Sequence, residues 1–348
     1  MRSPNSGEQR PDRGRLDPTY PNRTGTSRSA ADRSGAADEL AVIEQLRRRF
    51  ESAVPLTERA GARTEVGIGD DATVVLVGAS DERLVLSVDV CVEGVHFDLG
   101  VVRLEDAGWK SLMVAASDIA AMGAKPVAAL MSVAAPVGTD LDRFGAGAAE
   151  ASARLGCAVV GGDLSGGPVV SASVTVIGTL PDDGSPALLR SGARPDDVLL
   201  VTGALGSSAA GLRALRSDRH ASGALVDAHR RPVAAVAEGL AARRGEATAA
   251  IDVSDGLVGD LRHLLVASGV GAALDHVPVA EGADLEEALG GGEDYVLLLA
   301  APDPDRLRGA FAAAGLPEPV VIGRCTEEPG RLLLDGEPLA DVGWRHRF

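Results

Sequence analysis

Five short segments of the chain place one or two carboxylates where a β-rich run gives way to a loop containing Gly or Ser. They are Gly67-Ile-Gly-Asp-Asp71, Ser87-Val-Asp89, Ser117-Asp118, Gly161-Gly-Asp163 and Asp252-Val-Ser-Asp-Gly256. Any one of them reads as a turn, because Asp and Gly are favoured there. As a set they constrain the fold: if they converge, each pair of unit charges about 4 Å apart repels by about 4 kcal/mol at an effective dielectric of about 20. Such a cluster demands bound cations.

The stretches between these segments alternate between strand and helix patterns. Leu40, Ile43, Leu46 and Phe50 recur at helical spacing and predict an opening amphipathic helix. Strands are predicted at Val74 to Val77, Leu84 to Val92, Val127 to Val133, Ala158 to Val160 and Val169 to Ile177, with helices at Leu104 to Met122 and Leu141 to Leu155. After a Pro/Gly/Asp stretch at Pro181 to Pro186, the pattern restarts. Strands follow at Val198 to Val201, up to Asp252, and at Tyr295 to Leu299. Helices are predicted at Ala209 to Leu215, from Pro232, at Leu257 to Ala267 and at Pro304 to Ala314, and Asp335-Gly336 turns a hairpin. The expected fold is α/β with mixed sheets in two domains, 38–181 and 182–348. Residues 1–37 have almost no large apolar side chain to offset the entropy of ordering and are expected to form a disordered tail.

Composition narrows the function. Only 3% of the 348 residues are aromatic, so the cores must be built from Ala, Val and Leu. A net charge of -16 argues against nucleic acid or an anionic membrane as the main partner, since either repels an acidic protein. Cys91, Cys157 and Cys325 are far apart and lack metal-ligand spacing. No apolar run approaches the roughly 20 residues a membrane span needs, so a cytoplasmic protein is expected.

Hard oxygen donors without a Cys/His set favour magnesium over zinc, and magnesium beside Gly-rich loops points to phosphoryl transfer. Neither a Gly-x4-Gly-Lys-Ser/Thr loop nor the protein-kinase signature occurs. Taken in order, the acidic segments lie among further motifs: Glu93-Gly-Val-His-Phe97, Gly108-Trp-Lys110, Ser117-Asp-Ile-Ala-Ala-Met-Gly-Ala124, Arg190-Ser-Gly192 and Gly291-Gly-Glu-Asp-Tyr295. From about residue 39 to 348 this series resembles the thiamine-monophosphate kinase family.

The resemblance implies a two-domain fold of the aminoimidazole-ribotide-synthetase type. It implies a homodimer through the N-terminal domain, with ATP and several magnesium ions between the domains and thiamine monophosphate as acceptor. Position by position, it assigns Asp70, Asp71, Ser87, Asp89, Asp118, Asp163, Asp252 and Asp255 to the magnesium site. It assigns Gly162, Asp163, Arg190 and Ser254 to the nucleotide, and His96, Glu293 and Trp344 to the acceptor. Lys110 and Asp106, four apart on a helix, read as an exposed pair and stay outside the site. Three departures stand out: Val88 where the family has Thr, Ala115 or Ala116 in place of an Asn, and one extra residue at the C-terminus. Selenophosphate synthetases and hydrogenase-maturation proteins share the fold type, but the reactive Cys of each is missing here.

Overall fold

The computed structural model describes residues 39–53, 62–78 and 82–344; the expected tail lies outside them. The first half runs α1 (Glu39–Ala53), β1 (Ala62–Val66), β2 (Thr73–Val77), β3 (Glu82–Val92), α2 (Leu104–Ala121), β4 (Lys125–Ala135), α3 (Leu141–Leu155), β5 (Ala158–Gly166) and β6 (Ser171–Thr179). The second half begins with β7 (Val198–Val201), α4 (Ser207–Ser217), α5 (Ala224–Arg230), α6 (Val236–Arg244), β8 (Ala249–Asp252) and α7 (Leu257–Ser268). It ends with β9 (Gly271–Leu274), α8 (Leu285–Gly290), β10 (Leu297–Ala301), α9 (Pro304–Ala313), β11 (Val320–Thr326), β12 (Leu332–Leu334) and β13 (Glu337–Pro338).

Each half contributes one mixed sheet. The first has order β1-β2-β3-β6-β4-β5, antiparallel except where β4 and β5 run parallel. The second has order β13-β12-β9-β11-β7-β10-β8, with β12 parallel to β9. The hairpin falls where expected, and Asp335 and Gly336 both have positive φ, as a tight primed turn requires.

Helix α2 is the centre of the molecule. Fifteen of its residues, Asp106 to Ser117 and Ile119 to Ala121, are buried, because it is covered by the first sheet, by α3 and by the second half of the chain. Leu112, Ala116 and Ile119 pack with Val74, Val85, Val174 and Val176 of the sheet, and Ala234 from the second half joins the same cluster. Small residues make this close packing possible. A Cβ on Gly239 of α6 would stand 1.9 Å from the Ala120 carbonyl oxygen of α2, so only glycine lets the two helices approach so closely. The second core is aliphatic as well, built on Leu199, Val201, Ile251, Leu261 and Leu265.

Pro232 does not open a helix. The chain stays irregular until α6 begins at Val236, and the Pro232 carbonyl accepts the Trp109 indole N–H at 2.7 Å. Nor are Lys110 and Asp106 an exposed pair: they are 1% and 0% exposed. Asp106 instead takes ion pairs from Arg103 at 3.0 Å and from Arg231 at 2.6 Å. Helical spacing predicts adjacency but says nothing about whether that face meets water.

Candidate active site

The start of β2, the end of α2 and the end of β8 meet at the seam between the halves. Asp71 from the turn before β2, Asp118 from the last turn of α2 and Asp252 at the end of β8 each bring one carboxylate oxygen within 4.8 Å of the other two. Like charges at this distance repel strongly in a buried setting. Asp118 bears a further cost, since the C-terminal end of a helix is the negative pole of its dipole.

Protein groups relieve only part of that repulsion. The Ser87 hydroxyl donates to Asp118 Oδ2, and the Ser117 hydroxyl donates to Asp252 Oδ2 at 2.6 Å. Arg190 donates to Asp71 Oδ1 from Nε at 2.9 Å and Nη2 at 2.5 Å. Asp70 faces another way, its carboxylate accepting the Arg190 backbone N–H at 3.1 and 3.2 Å. Thus Asp70 anchors the arginine that holds Asp71. Asp71 Oδ2 is buried without a hydrogen-bond partner.

The electrostatics follow from this geometry. Burial, then Asp252, Asp89 and Asp71, push Asp118 well above the usual carboxylate range. Asp252 is pushed up to about 7 by burial and then by Asp71, and Asp70 to about 6 by burial and then by Asp71. Burial raises Asp71 against the pull of Arg190. Burial also opposes the charge on Arg190, but Asp71 and Asp70 outweigh it and hold the guanidinium firmly protonated. A hard divalent cation suits this donor set: three converging carboxylates, one with an unused buried oxygen, and no thiolate or imidazole among them.

The loop Gly291 to Tyr295 packs against the segment that follows Asp252. Glu293 and Tyr295 have positive φ values of 70° and 52°, a strained conformation for residues other than glycine. Backbone bonds hold them there: Glu293 N–H donates to the Ser254 carbonyl at 2.7 Å, and Tyr295 N–H to the Val253 carbonyl at 2.9 Å. A Cβ on Gly292 would sit 2.5 Å from the same Ser254 oxygen. Asp294 accepts the Gly206 and Ser208 N–H groups at 2.6 and 3.1 Å, tying the loop to the start of α4. Glu293 is 3% exposed and forms an ion pair with Lys110 at 2.8 Å. His96 Nδ1 accepts the Val92 N–H at 3.0 Å, which leaves the ring proton on Nε2. The Trp344 backbone N–H donates to the Asp255 carbonyl at 2.9 Å, folding the end of the described chain back onto the Asp252–Asp255 loop.

The structure therefore brings together Asp71, Ser87, Asp118, Asp252 and Arg190, with Asp70 behind them. Asp255 and Ser254 share the loop that follows Asp252. Asp89 lies near enough to raise both Asp118 and Asp252. Gly162 and Asp163 do not join the cluster. Gly162, Met131, Val174 and Asp89 share one row of the first sheet, so Gly162 is three strands from Asp89, about 14 Å at the usual spacing. Gly162 and Asp163 line an open pocket of about 520 Å³ with Met131, Gly161 and Leu164. Lys110, Ser117 and Asp260 were missed as site residues. Asp260 accepts the Asp255 N–H at 3.0 Å, and its position on the buried face of α7 was the available signal.

Two sheets meeting around a buried carboxylate cluster define the class. Residues 69–180 match the N-terminal domain of the AIR synthase related proteins, and residues 194–334 match their C-terminal domain. The thiamine-monophosphate kinase of Mycobacterium tuberculosis is 37% identical over 326 residues, 88% of this chain and 91% of its own. That of Halobacterium salinarum is 36% identical, covering 84% of this chain and all of its own. Among solved structures, AaThiL complexed with AMPPCP and TMP superposes with a TM-score of 0.76 at 32% identity, over 89% of this chain and 97% of that one. The chain belongs to the thiamine-monophosphate kinase family, whose members are phosphotransferase enzymes. The hydrogenase maturation protein HypE, at 19% identity and a TM-score of 0.59, shares the fold alone.

Proposed function

We propose that this enzyme transfers the γ-phosphoryl group of ATP to thiamine monophosphate, forming thiamine diphosphate, with magnesium held by Asp71, Asp118 and Asp252. The convergence of these three carboxylates carries the reading. The relative solved with AMPPCP and TMP supports the choice of donor and acceptor. Magnesium, when bound, neutralises the phosphates.

The chain's own residues then position the reactants. Ser87 and Ser117 orient Asp118 and Asp252 through their hydroxyls. Arg190, held by Asp70 and Asp71, presents a fixed positive charge to the nucleotide phosphates. His96, Glu293 and Trp344 take the acceptor. The attacking phosphate oxygen is already anionic at neutral pH, so in-line transfer requires no strong general base, and positioning with charge neutralisation supplies the rate. Asp89 and Asp255 complete the proposed magnesium set and Ser254 the proposed nucleotide contacts; Gly162, about 14 Å from Asp89 across the sheet, and its neighbour Asp163 are left out of both.

The reading extends to a homodimer through the first sheet. Val88, Val90 and Leu130, on one face of the sheet, are 41 to 62% exposed, and every residue of the edge strand β5 is exposed. An apolar surface with a bare strand edge calls for cover.

Thiamine diphosphate formation from purified protein, ATP and thiamine monophosphate tests the function, with free thiamine as control acceptor and magnesium omitted in parallel. Magnesium-dependent product from the monophosphate alone is expected. Binding of both ligands without product would reduce the protein to a non-catalytic binder.

A further inference from the structure

The phosphoryl-transfer scheme above makes no use of the buried ammonium of Lys110. Lys110, on the central helix of the first domain, is 1% exposed. Its ammonium lies 2.8 Å from Glu293 Oε1 of the second domain and donates to the His96 carbonyl at 3.0 Å. The other Glu293 oxygen lies 3.6 Å from His229 Nδ1, which is itself 3.0 Å from the Ser208 hydroxyl. This nitrogen faces both the serine and the glutamate, and all three side chains are buried, so the trio is not arranged as a nucleophilic triad.

A buried ammonium is tolerated only with close partners, and those of Lys110 are informative. One is the backbone of His96; the other is the carboxylate of Glu293, whose own backbone is strained. We infer that Lys110 is a positioning residue for the acceptor: its single charge sets the spacing of His96 and Glu293 across the domain seam. The inference rests on the proposed role of those two residues. The nucleotide side is held separately, because Arg190 is fixed by Asp70, Asp71 and the Ser268 hydroxyl. Loss of Lys110 therefore acts selectively on thiamine monophosphate.

Steady-state kinetics of Lys110→Met and Lys110→Arg in the full-length protein test this, with KM measured separately for each substrate. Lys110→Met removes the charge; Lys110→Arg keeps it but moves its head group and carries the test if the first variant fails to fold. At least a tenfold rise in KM for thiamine monophosphate, with KM for ATP within twofold, is expected. A folded variant in which both KM values are unchanged, or rise together, overturns the inference. His96→Ala and Glu293→Gln separate the two levels. If neither raises KM for thiamine monophosphate, the acceptor assignment itself fails. If they do and the Lys110 variants do not, only the role of Lys110 fails.

Discussion

The Ser117 hydroxyl on α2 donates to Asp252 Oδ2 at 2.6 Å, so a side chain of the first domain holds a carboxylate of the second in place. Both residues are buried, at 0% and 4% exposure. Ser117→Ala removes the donor and leaves the carboxylate short of a partner, which costs about 1–3 kcal/mol. Urea unfolding of the metal-free protein is expected to show that loss, and kcat is expected to fall about tenfold as Asp252 loses its orientation.

Neutralising the cluster should separate activity from stability. Asp118→Asn keeps an acceptor for the Ser87 hydroxyl and removes repulsion from Asp252, Asp89 and Asp71. Turnover is expected to fall at least roughly 100-fold while the melting temperature of the metal-free protein holds or rises. Thermal melts beside initial-rate assays check both, and near-normal turnover would count against the site.

The raised carboxylates also set a pH dependence. Asp70 and Asp252 move from an ordinary value of 3.8 up to about 6 and about 7. A carboxyl whose pKa is higher folded than unfolded favours the folded state below its unfolded value, and that contribution is lost as pH rises through the folded one. These groups are expected to lower the metal-free melting temperature from about pH 4 to about pH 8, with saturating magnesium flattening the decline. Melting curves across that range, with and without the ion, are the check.

The outer face of the first sheet makes a separate prediction about assembly. Ser87 reaches Asp118, so Val88, 62% exposed, points to the opposite face of β3. The missing hydroxyl that distinguishes it from Thr therefore faces away from the carboxylates of its own protomer. Val88→Asp or Val160→Asp is expected to convert a dimer into a monomer in sedimentation-velocity runs. An unchanged sedimentation coefficient would place the dimer contact elsewhere.

Much of the architecture was legible because its signals are local. The α3 and β7 boundaries follow from patterns that the structure reproduces residue for residue, and Asp71, Asp118 and Asp252 stand near the ends of strands or helices, whereas Ser87–Asp89 and Gly161–Asp163, expected at strand ends, lie inside β3 and β5. Other strands were hidden. β9 is Gly-Ala-Ala-Leu, with no β-branched residue to mark it, and β11 is interrupted at Gly323, where its pairing with β7 slips register. The role of Lys110 was hidden for a different reason. Its partners His96 and Glu293 lie 14 and 183 residues away in sequence, and only the burial of α2 reveals that its charge must be satisfied internally. Convergence of Asp71, Asp118 and Asp252 likewise needed the tertiary fold.

The most direct test of the proposed metal site is a crystal structure of the protein soaked with manganese and a non-hydrolysable ATP analogue, read by anomalous scattering. At least one manganese peak within coordinating distance of Asp71, Asp118 and Asp252 is expected, with the analogue's phosphates beside it. Ordered analogue with every manganese peak away from these three residues would contradict the assignment.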